Sequence, residues 1–214
     1  FEKVEHPAPM LSLADAFSRE DVEKWEERNS KLLSRKEAEK VSYFCEYKFD
    51  GVAAELIYES TSLKTASTRG DGEIGEDVTH NIKTIKSVPL KLRKDALDRV
   101  KEDYEVPSML VVRGEVLIKK KDFEKINKRR KENGKGTYAN PRNLAAGSLR
   151  QLNPQAAARR NLDFFAYGLA SEMGQGDHSE EHKIMESLGF KSTPESRVCR
   201  NIDEVFNFFE KIKK

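Results

Sequence analysis

Apolar and polar side chains alternate through five stretches of the chain, and this period of two constrains the fold more than any other feature. The stretches are SYFCEYK from Ser42, VAAELIY from Val52, LKTASTR from Leu63, LVVRGEVLI from Leu110 and LDFFAYGLA from Leu162. Side chains on one face of a strand recur every second residue. Helical patterns lie between and around these stretches, over 19–33, 77–85, 122–132, 182–188 and 202–214. The sequence therefore predicts an α+β domain, with antiparallel β-sheets flanked by helices.

Composition excludes several classes of protein. Charged residues make up 36% of the 214 residues, yet the net charge is only +2, so any attraction for nucleic acid must be local. Two distant cysteines, Cys45 and Cys199, exclude a zinc finger or a disulfide scaffold. No apolar run approaches the length of a membrane span, and the N-terminus has neither an initiator Met nor a signal-peptide pattern. We expect a soluble intracellular chain that begins within a longer protein.

A lysine stands between two carboxylates in Glu46-Tyr47-Lys48-Phe49-Asp50-Gly51. In an extended strand Glu46 and Lys48 would share one face. Asp50-Gly51 is a hairpin-turn signal, which would place Lys48 beside the tip of a sheet, where a ligand can reach it. An ordinary hairpin with an exposed ion pair is the alternative interpretation of these six residues.

A glycine-rich segment over 68–77 formally contains G-x-G-x-x-G at Gly70, Gly72 and Gly75. A dinucleotide fingerprint is nevertheless excluded, because four carboxylates would surround the pyrophosphate and the flanking strands are predicted to be antiparallel. The carboxylates are those of Asp71, Glu73, Glu76 and Asp77. A calcium loop lacks its ligand spacing. A glycine-rich turn that enters a helix remains as the alternative to a ligand site.

Arg113-Gly114-Glu115 interrupts an otherwise apolar strand. Glycine in a central strand indicates close approach of a ligand or of backbone. An ionised Glu115 needs a partner there, and a structural ion pair with Arg113 is the alternative to a ligand.

A local basic tract lies between residues 119 and 160. Residues 119–136 contain nine Lys or Arg against three acids, and residues 137–160 contain four Arg and no acid. Such a tract is typical of contacts to a polyanion backbone, with a solvated basic helix as the alternative for 119–136. His178 and His182 could share a metal on a helix, but we interpret their surroundings as a polar loop. Phe206, Phe208 and Phe209 are predicted to form the core face of a helix.

The motifs taken together resemble a known family. The K-x-D-G of Lys48 to Gly51 resembles the nucleophile motif of covalent nucleotidyltransferases, which include DNA ligases, RNA ligases and mRNA capping enzymes. PMLSLADAF, TRGDGEIGEDVTHNIKTI, VRGEV, YANPRNLAAGSLRQLNP and FFAYG look like the adenylation domain of an NAD+-dependent DNA ligase. The resemblance covers essentially the whole chain. It implies a nucleotidyltransferase (ATP-grasp-like) fold.

The resemblance also implies a role for each matching residue. Lys48 would attack the α-phosphate of NAD+, expel nicotinamide mononucleotide (NMN) and hold AMP beside a pocket for a purine nucleotide. Asp50 and Gly51 belong to the same motif. The implied contacts are Ser12, Leu13 and Glu46 at the adenine, Tyr167 as an aromatic platform for that ring, Arg69 and Glu115 on the nucleotide with Glu115 at the ribose, and Arg142 and Arg150 on nucleotide or DNA phosphates.

The chain departs from the family pattern in several places. Leu144 stands where Ala is usual and Asn153 where Asp is common, and residues 93–108 are interpreted as a surface insertion. The chain ends before the later E-x-D-G and lysine-bearing strands, and it lacks the NMN-binding, OB-fold, zinc-finger, helix-hairpin-helix and BRCT regions. We expect 1–40 to be a lead and helix that join the NMN-binding domain. Residues 41–214 would be an adenylation domain, incomplete at its C-terminal end.

The implied parent enzyme seals nicks in duplex DNA with Mg2+ or Mn2+, and zinc is implied only for regions outside this chain. We expect a monomer with no membrane contact, cytoplasmic and nucleoid-associated in a bacterial cell, and a fragment that is poorly active alone. The alternatives are an RNA ligase or capping enzyme charged by ATP or GTP, and a non-catalytic nucleic-acid-binding module.

Overall fold

The computed structural model describes residues 1–38 and 40–213. The strands are β1 (Lys3–Glu5), β2 (Tyr43–Glu46), β3 (Val52–Glu59), β4 (Ser62–Thr68), β5 (Ile74–Glu76), β6 (Met109–Ile118), β7 (Leu162–Leu169) and β8 (Ser196–Cys199). The helices are α1 (Arg19–Ser30), α2 (Arg35–Ala38), α3 (Thr79–Ile82), α4 (Lys94–Val100), α5 (Lys120–Glu132), α6 (Pro141–Leu149), α7 (Pro154–Ala158), α8 (His178–Ser187) and α9 (Ile202–Lys213).

These elements form two compact units. Unit 1 contains Phe1–Met10 and Lys48–Thr193, and unit 2 contains Leu11–Tyr47 and Pro194–Lys214. This division differs from the predicted boundary at residue 40, because the first ten residues belong to unit 1 and the last twenty-one to unit 2. The assignment of 1–40 as the link to a preceding domain stays a prediction.

Unit 1 is built on a four-stranded antiparallel sheet in the order β4-β3-β6-β7. Ser60 and Thr61 close the hairpin between β3 and β4 with positive φ values of 46° and 77°. A second, two-stranded antiparallel sheet pairs β1 with β5. The predicted α+β class with antiparallel sheets is confirmed. Antiparallel strands flank the glycine-rich segment. This agrees with the exclusion of a dinucleotide fingerprint there, because that motif belongs to a parallel βαβ unit.

One face of the four-stranded sheet is the core of unit 1. Leu56, Val112 and Phe164 lie on this face and are fully buried. Apolar side chains from α3, α6 and α8 join the same cluster. Gly114 faces the core because a Cβ there would lie 2.3 Å from the Phe164 ring and 2.4 Å from the Phe165 carbonyl oxygen. The close approach that Gly114 allows is therefore to an aromatic ring and to the backbone of β7.

The segment predicted to be a surface insertion contributes to the core. Residues 94–100 form α4, which contacts α8. Ala96, Leu97 and Val100 are buried on its inner side. The prediction for 93–108 was wrong because a single short helix shows too few apolar repeats for its buried face to stand out among charged neighbours.

Two further sequence interpretations are corrected on α8. The predicted helix over 182–188 begins earlier, at His178, because the Asp177 side chain caps it by accepting a hydrogen bond from the Glu180 N–H. His178 and His182 therefore lie on a helix and not in a polar loop. Their rings meet edge to face with centroids 4.9 Å apart.

Unit 2 pairs β2 with β8 in an antiparallel ribbon, against which α9 packs. Ser18 caps α1 as predicted, and α1 buries none of its side chains. Of the three aromatic residues predicted to face the core on α9, Phe208 is buried, Phe206 is half-buried and Phe209 is exposed. Within the residues described, no helix is long and apolar enough to cross a membrane.

Candidate active site on the polar face of the sheet

Lys48 lies in an irregular segment over 47–51 that leads into β3, and its side chain is exposed. The predicted hairpin at Asp50-Gly51 was wrong, since β2 pairs with β8 while β3 pairs with β4 and β6. The pairing preference of β2 depends on residues about 150 positions away, which a local turn signal cannot reveal. Strand β2 ends at Glu46, so the alternation of side chains does not continue to Lys48. The prediction that Glu46 and Lys48 share a strand face therefore does not hold.

Two contacts fix the backbone around Lys48. The Gly51 N–H donates to Glu115 Oε1 at 3.0 Å, and the Phe49 ring lies 4.6 Å from the Phe165 ring on β7. A Cβ on Gly51 would lie 2.2 Å from the Val116 carbonyl oxygen, so only glycine fits there. The K-x-D-G segment is thereby held against β6 and β7.

The face of the sheet opposite the core carries charged and aromatic side chains. The β3–β6 register places Ala53 opposite Glu115 and Glu55 opposite Arg113, while Phe165 lies opposite Glu115 on β7. The Arg69 N–H donates to the Ala53 carbonyl at the end of β4. The residues of this polar face are Arg69, Glu55, Arg113, Glu115, Phe165 and Tyr167. Strand alternation thus brings Arg69, Glu115 and Tyr167 to one surface, as their predicted roles require.

Burial raises the pKa of Glu115 above its ordinary value. The Gly51 N–H and the positive charges of Arg142 and Lys48 act in the opposite direction, and Asp50 adds to the increase. Arg113, considered in the sequence as its partner, instead bonds Glu55. Glu115 is therefore a largely buried carboxylate held by one N–H group and facing the cations of the K-x-D-G segment and α6.

Tyr167 is half-buried among the charged side chains of the polar face. Burial, with the nearby carboxylates of Glu115 and Glu55, raises the pKa of Tyr167 to about 12, while Arg113 and Arg69 oppose this. The ring is neutral at physiological pH and offers an apolar surface edged by charge. Such a surface can stack against a planar heterocycle.

Arg142 and Arg150 come from the region without acids, but each meets a carboxylate from elsewhere. Arg142 Nη1 lies 3.2 Å from Asp50 Oδ1, and both side chains are exposed. Arg150, the C-cap of α6, places Nε 2.7 Å from Glu76 Oε2. This contact is the main cause of the lowered pKa of Glu76. Of the two arginines, Arg142 is the one beside the K-x-D-G segment.

Sequence reasoning missed a buried network on the polar face. Glu55 is fully buried, and its Oε2 accepts from Arg113 Nε at 2.8 Å while its Oε1 lies 2.9 Å from His6 Nδ1. His6 Nε2 lies 3.1 Å from the Arg69 carbonyl oxygen. Glu55 stands at a polar position of an alternating strand, which normally indicates solvent, so the pattern gave no sign of it. The network holds the backbone of Arg69.

Three residues predicted to contact the adenine belong to unit 2. Ser12 and Leu13 are exposed in the segment that precedes α1, and Glu46 ends β2. Their roles stay predictions.

Two cavities lie in unit 1. One of about 260 Å³ is lined by residues that include Lys86, Lys119, Asp163 and Lys191. The other includes Gly70 and Arg150. Lys48 lines neither of them, so the purine pocket beside it stays a prediction.

The mixed α/β fold with its antiparallel sheets is that of the nucleotidyltransferase class. The family model for the NAD-dependent DNA ligase adenylation domain matches residues 1–214. The chain therefore belongs to the NAD-dependent DNA ligase adenylation domain family.

Curated relatives agree with this assignment. A DNA ligase of Listeria innocua is 45% identical over 98% of the chain, and one of Bdellovibrio bacteriovorus is 44% identical over all of it. A DNA ligase of Anoxybacillus flavithermus is 45% identical over 98%. The chain spans 29% to 31% of the length of these relatives.

Proposed function

We propose that this chain is the adenylation part of an NAD+-dependent ligase that seals nicks in duplex DNA. The observation that carries the proposal is the environment of Lys48. Its exposed amine lies in a segment that the hydrogen bond from the Gly51 N–H to Glu115 holds beside the polar face of the sheet, with Arg142 next to Asp50 of the same motif.

In the first step, the neutral amine of Lys48 attacks the α-phosphorus of NAD+. A P–N bond forms, the P–O bond to NMN breaks, and NMN leaves with the electron pair while the amine proton passes to solvent. Amine nucleophiles act in this way once they are unprotonated and in line with the leaving group. The product is AMP joined to Lys48 through a phosphoramidate.

The remaining residues of the site bind the nucleotide. Tyr167 stacks on the adenine. The adenine contacts of Ser12, Leu13 and Glu46 are those that the family resemblance implies. Glu115 accepts a hydrogen bond from the ribose, and Gly51 keeps Glu115 in place through its N–H group. Arg69, held by its carbonyl contact to His6, directs its guanidinium to the phosphates.

In the later steps, an oxygen of the DNA 5′-phosphate attacks the AMP phosphorus, and Lys48 leaves as the amine. The 3′-hydroxyl then attacks the activated 5′-phosphorus and expels AMP. Arg142 and Arg150 contact phosphates during these steps, since their forked guanidinium groups suit two oxygens at once.

Mg2+ would suit this site because it takes hard oxygen ligands and combines one or two carboxylates with substrate phosphates. Asp50 offers an exposed carboxylate two residues from Lys48. When bound, the ion neutralises charge on the phosphates.

We also propose that the protein acts as a monomer in the cytoplasm, associated with the nucleoid, and that residues 1–40 lead to an NMN-binding domain. Zinc would be held only by regions outside this chain. Since the chain spans less than a third of its relatives, self-adenylation by this chain alone should be slow and incomplete.

Intact-mass analysis after incubation with NAD+ and Mg2+ tests the proposal. We expect partial addition of one adenylyl group, complete loss of that adduct in Lys48→Ala, and an unchanged adduct in Lys64→Ala, which removes an exposed lysine from β4.

Three outcomes would count against parts of the proposal. Labelling from ATP or GTP in place of NAD+ would indicate the RNA ligase or capping class. Duplex binding with no labelling and no adenylate binding would indicate a non-catalytic nucleic-acid-binding module. Rapid, complete labelling would contradict the dependence on regions outside this chain.

A further inference from the structure

We propose that the exposed face of α5 is a docking surface for the phosphate backbone of duplex DNA, separate from the adenylation site. This inference rests on the proposed function, because it takes duplex DNA as the partner. It adds a surface to which neither the K-x-D-G motif nor the arginines of α6 belong.

The charge of this helix contrasts with the rest of the chain. Residues 119–136 carry nine cations against three acids, whereas the net charge of the whole chain is only +2. Helix α5 itself carries seven cations against three acids, and residues 137–160 add four Arg and no acid. The positive charge is therefore concentrated between residues 119 and 160, and the remainder of the chain is net negative. Duplex DNA presents one phosphate charge for about every 1.7 Å of its axis, which is the complementary distribution.

The cations of α5 lie on its solvent side. Lys121, Lys128 and Arg129 are exposed, and none of them forms an ion pair with any residue that the structure describes. They follow the seven- and eight-residue spacing of one helical face, so the stripe is about 10 Å long. Lys125 lies between Lys121 and Lys128 on the same face and forms an ion pair with Asp122, at 3.7 Å.

The opposite side of α5 is anchored. Phe123 and Ile126 pack against the core, so the helix cannot turn its cations inward. Asn127 holds Tyr138 through both backbone groups, accepting from its N–H at 2.9 Å and donating to its carbonyl at 3.0 Å. The surface is therefore presented rigidly, which limits the entropy lost on binding.

The basic surface continues from α5 towards α6. The guanidinium groups of Arg130 and Arg160 lie 4.5 Å and 5.5 Å from the centre of the Tyr138 ring. Arg160 also donates to the Tyr138 hydroxyl at 3.2 Å. Helices α5 and α6 are in contact, and α6 carries Arg142 beside Asp50. A polyanion on α5 can thus extend towards the site where the proposed function places DNA phosphates.

The character of the side chains favours nucleic-acid backbone over an acidic protein. Most cations of α5 are flexible lysines, which contact phosphates as point charges and need no fixed geometry. The exposed face presents no aromatic or aliphatic anchor of the kind that protein interfaces use. We expect binding that is insensitive to DNA sequence and steeply dependent on salt.

The experiment compares the chain with a triple variant, Lys121→Gln, Lys128→Gln and Arg129→Gln. Binding of a fluorescent 24-base-pair duplex is measured by anisotropy over a series of KCl concentrations. The matched control is Lys64→Gln, Lys94→Gln and Lys101→Gln, which removes three exposed cations from elsewhere in unit 1. Labelling of Lys48 by NAD+ is measured on all three proteins.

We expect the salt slope of the triple variant to fall by about 2.7 and its affinity at 0.1 M salt to fall on the order of a hundredfold. The control should lose much less, and labelling of Lys48 should be unchanged in both. Equal losses in the variant and the control would overturn the proposal. So would no binding of duplex by the unmodified chain, or binding of polyglutamate in preference to DNA.

Failure of this inference can be told apart from failure of the proposed function. Intact labelling of Lys48 with no effect of the α5 substitutions on DNA binding overturns only the docking surface. Loss of DNA binding in the α5 variant, in a chain that NAD+ does not label, supports the surface and contradicts the adenylation proposal.

Discussion

The two faces of the four-stranded sheet are built from neighbouring residues of the same strands, yet they have opposite chemistry. On β3 and β6, Leu56 and Val112 point into the core while Glu55 and Arg113 point to the other side. The core face is filled by apolar packing, whereas the polar face carries an ion pair and further charged and aromatic side chains. A single period-two pattern therefore specifies both the stability of unit 1 and the surface that carries its candidate chemistry.

The polar face itself contains two kinds of carboxylate. Glu55 has its charge compensated by Arg113 and lies beside His6, whereas Glu115 is held by one backbone N–H and has a raised pKa. Glu55 therefore stabilises the fold, and the burial of Glu115 destabilises its ionised form. The difference separates a carboxylate that is paired within the fold from the one proposed to bind the ribose.

Glu55→Ala should cause the largest loss of stability, about 3–5 kcal/mol in the free energy of unfolding, because it leaves the Arg113 charge uncompensated. Urea denaturation measures this loss. Glu59→Ala, at the exposed end of the same strand, should change stability by less than about 0.5 kcal/mol. Equal losses of stability in the two variants would mean that buried Glu55 contributes no more than a carboxylate at the exposed end of the strand.

Gly114→Ala tests the core face and should cost about 1–3 kcal/mol, since the new methyl group would overlap the Phe164 ring and the Phe165 carbonyl oxygen. The matched control is Gly168→Ala on β7, where an added Cβ meets no atom within 4 Å. Thermal unfolding should show a lower melting temperature only for the first variant. A tolerated Gly114→Ala would mean that the core face is less tightly packed than the distances indicate.

Glu115→Gln should have the smallest effect on stability and the opposite sign. Because the folded-state pKa is raised, the wild-type chain loses stability as pH rises from the ordinary range of a glutamate through that raised value. Gln cannot ionise and can still accept from the Gly51 N–H, so the variant should be more stable at pH 7, by less than about 1 kcal/mol.

The advantage of Glu115→Gln should disappear below about pH 4, where the wild-type carboxyl is protonated. Thermal unfolding at both pH values measures it, and labelling of Lys48 by NAD+ should decrease in the same variant. A variant that is less stable at pH 7 than at pH 4, relative to wild type, would contradict the conclusion that ionised Glu115 destabilises the folded chain.

The sequence predicted the parts of the fold that depend on local pattern. The long strands β3, β4, β6 and β7 all appear where alternation indicates them. The short strands β1, β5 and β8 were missed. Strand β2 is equally short but was predicted, because it lies within the seven-residue alternation of SYFCEYK. Pairing between strands that are distant in sequence explains the wrong hairpin at Asp50-Gly51, since β2 pairs with β8.

The candidate site, like the fold, could be predicted only in part. Arg69, Glu115 and Tyr167 could be placed on one surface from strand parity and family resemblance. His6 and Glu55 could not, because a hydrogen bond between residues 49 positions apart leaves no periodic signal.

The contacts of Arg113 with the start of the chain have a practical consequence. Its guanidinium donates to the backbone carbonyls of Ala8 and Pro9, and β1 supplies the only partner strand of β5 among the described residues. A version trimmed to start at Leu11 would expose an unpaired sheet edge and strip His6 from Glu55. Anyone shortening this polypeptide for expression should treat its first ten amino acids as a component of the scaffold and leave them in place.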